Sequence, residues 1–309
     1  MIRLGLCCKF CEAPIRYRHV TAAILLKLPA EDRTARIAEV AEHNAGSLLE
    51  SLKYCASHNI GAFRVLSQIL PLKTHPDVGY TIAGLPNAAK LIRILRSAGR
   101  FAKRAGIRLS FHPDQFILLN SPREEVTRSA IAELEYQSEV AALIGADVIM
   151  IHAGGAYGDK PAALIRFAEA VEKLPPNIRK RLAVENDDKI FTPKDLLPVC
   201  RALRMPLVYD VHHHRCNGDG LSIRKATALA LETWNREPLF HLSSPLNGWH
   251  GPAPLSHHDY IDPADFPPNW KGLTLTLEVE AKAKELAVLK LYNELARRQV
   301  PLWPGPAAI

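Results

Sequence analysis

Long apolar runs are missing from this 309-residue sequence. Its most apolar stretches, such as Ala146-Asp147-Val148-Ile149-Met150-Ile151-His152, are broken by charge or glycine, and none approaches the ~18 residues that a membrane span needs. No secretory leader is read at the start, where Arg3 and a short apolar run precede Lys9. Cysteine is sparse and scattered. Cys7, Cys8, Cys11, Cys55, Cys200 and Cys216 form no disulfide framework, and Cys8 and Cys11 have no second ligand pair at zinc-finger distance. A reducing, cytoplasmic setting is expected. The Gly-rich phosphate loop of a doubly wound nucleotide-binding sheet is absent as well, because the first apolar run leads into Cys7-Cys8-Lys9-Phe10-Cys11. Low-complexity blocks are lacking, as are internal repeats beyond a strand–helix unit.

What is present fits one large core. The chain is 48% hydrophobic and 23% charged, which excludes a disordered protein. A net charge of +7 favours polyanionic partners, although a solvated basic surface would give the same figure. Eight apolar or β-branched runs stand out, at 2–8, 60–66, 107–112, 147–152, 182–185, 207–212, 239–242 and 273–280. Helical patterns separate most of them, at 33–58, 87–105, 123–144, 161–174, 193–203 and 222–234. Pro161 and Pro193 sit where proline suits the first helical turn. Near-continuous apolar strands alternating with helices predict a parallel sheet covered on both faces, and eight units close it into a single (β/α)8 TIM barrel. The barrel is expected to take residues 1–296, with an irregular Pro-rich tail at 297–309. The Pro-, His- and Gly-rich stretch 245–269 is too long for a plain connection and reads as functional.

Polar residues gather where these strands end. His112, His152, Glu185, Asp210 with His212–His214, His241, and Glu278 with Glu280 stand at the C-terminal ends of six successive units. In a barrel those ends meet at one mouth. One histidine at a strand end is more often a hydrogen-bonded structural residue than a ligand. Six such ends sharing a mouth would be costly without compensation, and divalent metals supply it, since imidazole with carboxylate suits Zn²⁺, Mn²⁺ or Fe²⁺. The donors outnumber what one tetrahedral ion uses, so two or three ions are expected. Strand parity puts Asp210, His212 and His214 on one face and His213 on the other; Glu278 and Glu280 share a face, and Glu280 is favoured because it lies nearer the mouth. Lys189 and Lys282 lie where phosphate contacts would form, or are plain surface charges.

At these positions the chain resembles the UV damage endonuclease family, relatives of endonuclease IV-like barrels. The resemblance is carried by Thr74-His75-Pro76-Asp77, Ser110-Phe111-His112-Pro113-Asp114-Gln115-Phe116, Ile151-His152-Ala153-Gly154-Gly155-Ala156-Tyr157-Gly158, Glu185-Asn186-Asp187-Asp188, Asp210-Val211-His212-His213, His241-Leu242-Ser243-Ser244-Pro245, His257-His258-Asp259-Tyr260 and Glu280-Ala281-Lys282-Ala283-Lys284-Glu285. It implies a metal-dependent DNA repair endonuclease that nicks damaged double-stranded DNA on the 5′ side of UV-induced or other distorting lesions, with no membrane and no obligate protein partner. The implied ligands are His112, His152, Glu185, Asp210, His213, His241, His257 and Glu280. The implied ions are divalent, Mn²⁺ first, with Mg²⁺, Co²⁺ or Zn²⁺ as substitutes. Glu185 and Glu280 are assigned to bridging ions and Asp210 to orienting the attacking water. Gln115 and Phe116 match the pair that probes the distorted duplex, and Tyr157 is a further candidate, unless it simply packs on the Gly154–Gly155 turn. Two positions depart from the family. Leu6 stands where members usually carry an aromatic of the same wedge, and Leu239 stands where they carry a lysine that helps hold metal. A metal-dependent sugar isomerase or epimerase on the same barrel is the alternative; a binding protein with a degenerate site is the third.

Overall fold

The computed structural model describes residues 1–114 and 116–306. Eight parallel strands close in sequence order: β1 (Ile2–Cys7), β2 (Ala62–Val65), β3 (Arg108–Phe111), β4 (Val148–His152), β5 (Leu182–Glu185), β6 (Leu207–Asp210), β7 (Leu239–Leu242) and β8 (Leu275–Val279). The last strand pairs with the first, Ile2 opposite Leu275 through Leu6 opposite Val279. Around them run α1 (Ala22–Leu25), α2 (Ala30–Ser57), α3 (Ala88–Ala105), α4 (Glu124–Ile144) and α5 (Lys160–Lys173). The second half adds α6 (Pro176–Arg179), α7 (Pro193–Leu203), α8 (Val211–Cys216), α9 (Ile223–Leu231) and α10 (Lys284–Arg297). The single (β/α)8 barrel expected from the alternation is the observed architecture. No described helix is long and apolar enough to cross a membrane.

Period-two alternation sorts each strand into two environments. One set of side chains, including Ile149, Ile151, Val184, Tyr209, Phe240 and Leu277, packs outward beneath the helices in the main core. The other set fills the barrel. Its middle layer holds an apolar patch of Val148, Met150, Ala183, Val208 and Leu239. Arg64, Ser110 and Glu278 complete this interior as a polar group of buried side chains. Gly5 keeps that layer open, because a Cβ there would come within 3.2 Å of Glu278.

Two sequence expectations are corrected. Residues 211–212 do not continue the sixth strand. Asp210 ends β6 and caps α8, its carboxylate accepting the His213 amide at 2.8 Å. The parity argument for His212 therefore has no strand to act on. Leu6, expected beside the lesion-probing wedge, is fully buried in the core beneath the helices.

At the base, residues 298–306 form no helix, and Pro301–Trp303 are laid against β1. The Ile2 amide donates to Pro301 at 2.7 Å and the Trp303 amide to Ile2 at 2.8 Å. Trp303 lies over the Arg3 guanidinium at 5.3 Å, and Gly61 makes room for it, since a Cβ would stand 2.7 Å from the indole. Ion pairs Arg3–Glu237 and Arg108–Asp147, both at 2.9 Å, close the same end. The opposite end is left to the loops that build the mouth.

Candidate metal centre

Glu185 is the hub of the mouth. It ends β5 fully buried, and four imidazoles surround its two oxygens. His112 Nε2 stands 2.9 Å and His152 Nε2 3.8 Å from Oε2, while His241 Nδ1 and His213 Nδ1 stand 2.9 and 3.3 Å from Oε1. Asp210 lies next to it, its Oδ2 3.6 Å from His213 Nδ1 and 3.7 Å from His241 Nδ1. That oxygen is buried and accepts no hydrogen bond among the described residues, and the buried His152 Nδ1 is likewise unpartnered. Glu280, just past β8, meets His241 Nδ1 at 3.5 Å and His257 Nδ1 at 3.7 Å. Thus all eight expected ligands fall into one connected cluster.

His213 joins because the first turn of α8 swings it back over Glu185 and Asp210, its ring 2.9 Å from the Asn186 carbonyl. His212 packs its ring against Trp249 and His257, 5.0 and 5.1 Å away, and His214 turns to other partners. His214 is tied to Asp219 at 2.9 Å and to the Tyr209 hydroxyl at 2.7 Å. His257 arrives on the long loop after β7, which is pinned by the Pro245–His257 bridge and by Trp249 donating to Asp265 at 2.7 Å.

The electrostatics follow from crowding. Burial disfavours the Glu185 carboxylate, but His241, His152, His112 and His213 prevail and hold its pKa well below the usual carboxylate range. Burial also disfavours the imidazolium forms. At His213 the charges of Asp210 and Glu185 outweigh it and carry the pKa well above normal. At His241 the same contest, led by Glu185, ends with a pKa pushed up to about 10. At His152 burial wins and the pKa falls.

A donor set of imidazole and carboxylate nitrogen and oxygen, with an orphaned buried Asp210 oxygen, fits a divalent cation. Two subsets have donor atoms within 4.8 Å of one another: His112, His152 and Glu185, and Glu185, Asp210 and His241. Sharing Glu185 between them is what a bridging carboxylate requires.

Two features were missed by sequence reasoning. Arg64 on β2 enters the cluster from below, its Nη2 2.6 Å from Glu280 Oε1 and its Nε 2.5 Å from Glu278 Oε2. It holds the Glu278 pKa down to about 2 against the effect of burial. An arginine inside the apolar run Ala62-Phe63-Arg64-Val65 was the available signal. Arg64 also occupies one oxygen of Glu280, leaving Oε2 as that carboxylate's freer donor. Glu285 is the second: its buried carboxylate accepts the amides of Cys11, Glu12 and Ala13 at 2.7–3.0 Å, clamping the loop after β1 beside the mouth.

The expected DNA-probing residues are dispersed around the rim. Phe116 is 70% exposed, which frees its ring for a partner. Gln115 lies outside the described residues. Tyr157 is half-exposed and folds back over Gly155, with Arg166 5.7 Å from its ring. Lys282 lines a groove with Cys8, Lys9, Arg64, His257 and Glu280. Lys189 is exposed and makes no ion pair among the described residues. Leu239 sits one layer beneath His241, in the apolar patch with Met150.

Comparison with known proteins bears on this geometry. Residues 2–302 match the family described as UV-endonuclease UvdE. A UV DNA damage endonuclease from Bacillus cereus (strain G9842) is 33% identical over 281 residues, covering 87% of this chain and 86% of that protein. The crystal structure of SacUVDE superposes with a TM-score of 0.87 at 31% identity, covering 97% of this chain and all of that one. Endonuclease IV from Thermus thermophilus shares the fold alone, with a TM-score of 0.58 at 15% identity over 81% of this chain and 93% of that one.

Proposed function

Because the chain belongs to the UV-endonuclease UvdE family, and so to the DNA-cleaving enzymes of repair, we propose that the mouth nicks a damaged duplex on the 5′ side of the altered nucleotide with divalent metal ions, manganese foremost. The observation that carries this is the buried Glu185 ringed by four imidazoles beside an unpartnered Asp210 oxygen. Such ions, when bound, neutralise phosphoryl charge and make water a usable nucleophile at neutral pH.

The chain's own residues supply the frame. Glu185 spans the two donor subsets, with His112 and His152 on one side and Asp210 and His241 on the other, and His213 lies beside the second. Asp210 directs its free oxygen to the same space and orients the nucleophile. His257 and the Oε2 atom of Glu280 close the third side. Arg64 fixes Glu278 and Glu280 from below, holding the Glu280 carboxylate beside the other donors. Phe116, with Gln115 and Tyr157, enters the helix where a lesion has weakened stacking; Lys282 and Lys189 contact phosphate there. Selection then depends on how cheaply the duplex deforms rather than on base-edge reading. The buried position of Leu6 removes the third wedge residue from this set.

The test is a nicking assay on UV-irradiated and intact supercoiled plasmid with Mn²⁺, repeated with chelator. Nicking restricted to irradiated plasmid and lost with chelator supports the reading. Equal treatment of both plasmids, or cleavage that survives chelation, sinks it. Family membership leaves the sugar-isomerase reading with no observation in its favour.

A further inference from the structure

The positive charge of this protein is concentrated on one helix. α3 carries Lys90, Arg93, Arg96, Arg100, Lys103 and Arg104 and no acidic residue. The whole chain has 39 basic and 32 acidic residues, so removing those six leaves the remainder at +1. The helix turns Leu91, Leu95, Ala98, Ala102 and Ala105 inward, which puts the cations on its outer face. Lys90 pairs with Glu42 at 2.6 Å. The other five are exposed and meet no carboxylate among the described residues.

An unpaired cationic face has a cost, since like charges three and four residues apart repel. Lys103 and Arg104 are accounted for by the negative end of the helix, in whose last turn they stand. Arg93, Arg96 and Arg100, in mid-helix, have no such compensation. Arg96, Arg100 and Lys103 also line an open groove with the end of α4, and its one carboxylate, Asp147, is already paired with Arg108 at 2.9 Å and Arg236 at 3.4 Å. Gly99 sets the depth of that groove, because α3 meets the Ile144 carbonyl there and a Cβ would stand 2.5 Å from it.

The chain path fixes where this face lies. α3 leads back from the mouth end of β2 to the base of β3, so it runs down the outer wall. From Arg93 to Arg104 the stripe is ~16 Å long at 1.5 Å per residue, and one DNA strand presents about five phosphates over that axial distance. We propose that the α3 wall is a second DNA contact, gripping the phosphodiester backbone of the duplex arm beyond the lesion while the mouth holds the lesion itself. This rests on the reading of damaged DNA as the substrate.

The test compares the wild-type chain with Arg96→Gln/Arg100→Gln/Lys103→Gln and with a charge-matched control, Lys173→Gln/Lys180→Gln/Arg224→Gln, taken from other flanks. Binding of a lesion duplex just long enough to fill the mouth is measured against one extended by about two helical turns. The expected result is that the α3 variant loses the advantage of the long duplex, and that its log K against log salt becomes shallower by about 2–3, near 0.9 per lost phosphate contact. Nicking of the short duplex stays unchanged, and the control behaves as wild type. An α3 variant that keeps the long-duplex affinity and salt slope overturns the proposal. So does loss only of binding to phosphatidylserine vesicles, which would make the stripe a membrane contact. Failure of the wild type to nick the short lesion duplex would instead indict the substrate reading.

Discussion

At the scale of single residues, the cluster divides into side chains that hold charge and side chains that keep the holders in place. Glu280→Gln removes a donor while leaving the rim untouched, so we expect plasmid nicking to be abolished and lesion-duplex binding to stay near wild type. An active Glu280→Gln protein would show that this carboxylate is dispensable. Arg64 belongs to the second group. Arg64→Met strands the buried Glu278 and the part-buried Glu280, so denaturant unfolding of the metal-free protein should show a loss of about 3–5 kcal/mol. Adding Glu278→Gln should recover part of it, and no recovery would mean that Arg64 acts through packing rather than charge.

At the scale of elements, the clamp between α10 and the loop after β1 makes a separate prediction. Glu285→Ala leaves three backbone amides without their acceptor, at a cost on the order of 3 kcal/mol, read as a lower midpoint in urea. A shift below about 0.5 kcal/mol would mean that water replaces the carboxylate. Elements were the most legible level of the sequence. β5, β7 and α7 keep the boundaries that periodicity gave them, because Pro238 precedes β7, Thr192-Pro193 opens α7, and the apolar run itself delimits β5. Capping failed at β6. Asp210 reads equally as a strand-end residue and as a helix cap, and it is both. The site was legible as far as each donor sits at a strand end. Arg64 was not, because a cation inside an apolar strand announces a buried partner without naming it, and the partner is 214 residues away. The role of Glu285, which stands in a family motif, was not legible because nothing local distinguishes a helix-surface glutamate from one aimed at another loop's amides.

At the scale of the whole molecule, the two ends of the pH range oppose each other. Glu278 titrates at about 2 when folded against 4.5 ordinarily, so its contribution is complete above pH 4.5 and drains away as pH falls toward 2. His241 titrates at about 10 against 6.5, so its contribution is complete below pH 6.5 and is lost as pH rises toward 10. The metal-free protein should therefore be most stable between about pH 4.5 and 6.5. Saturating Mn²⁺ should move that optimum upward, since ligation requires neutral imidazole. Unfolding midpoints across pH, with chelator and with Mn²⁺, decide the matter. An unchanged optimum would mean that manganese does not compete with the protons on these rings.

The clasp of residues 301–303 on Ile2 ties the far end of the barrel's chain to its first strand. A ribosome making this protein therefore holds a sheet with two open edges, one of them β1, until β8 has emerged behind all seven other strands. The ring cannot shut earlier, because β8 and the clasp are the last of its pieces to arrive. The interval just before they do is when this polypeptide is most exposed to strand-to-strand aggregation.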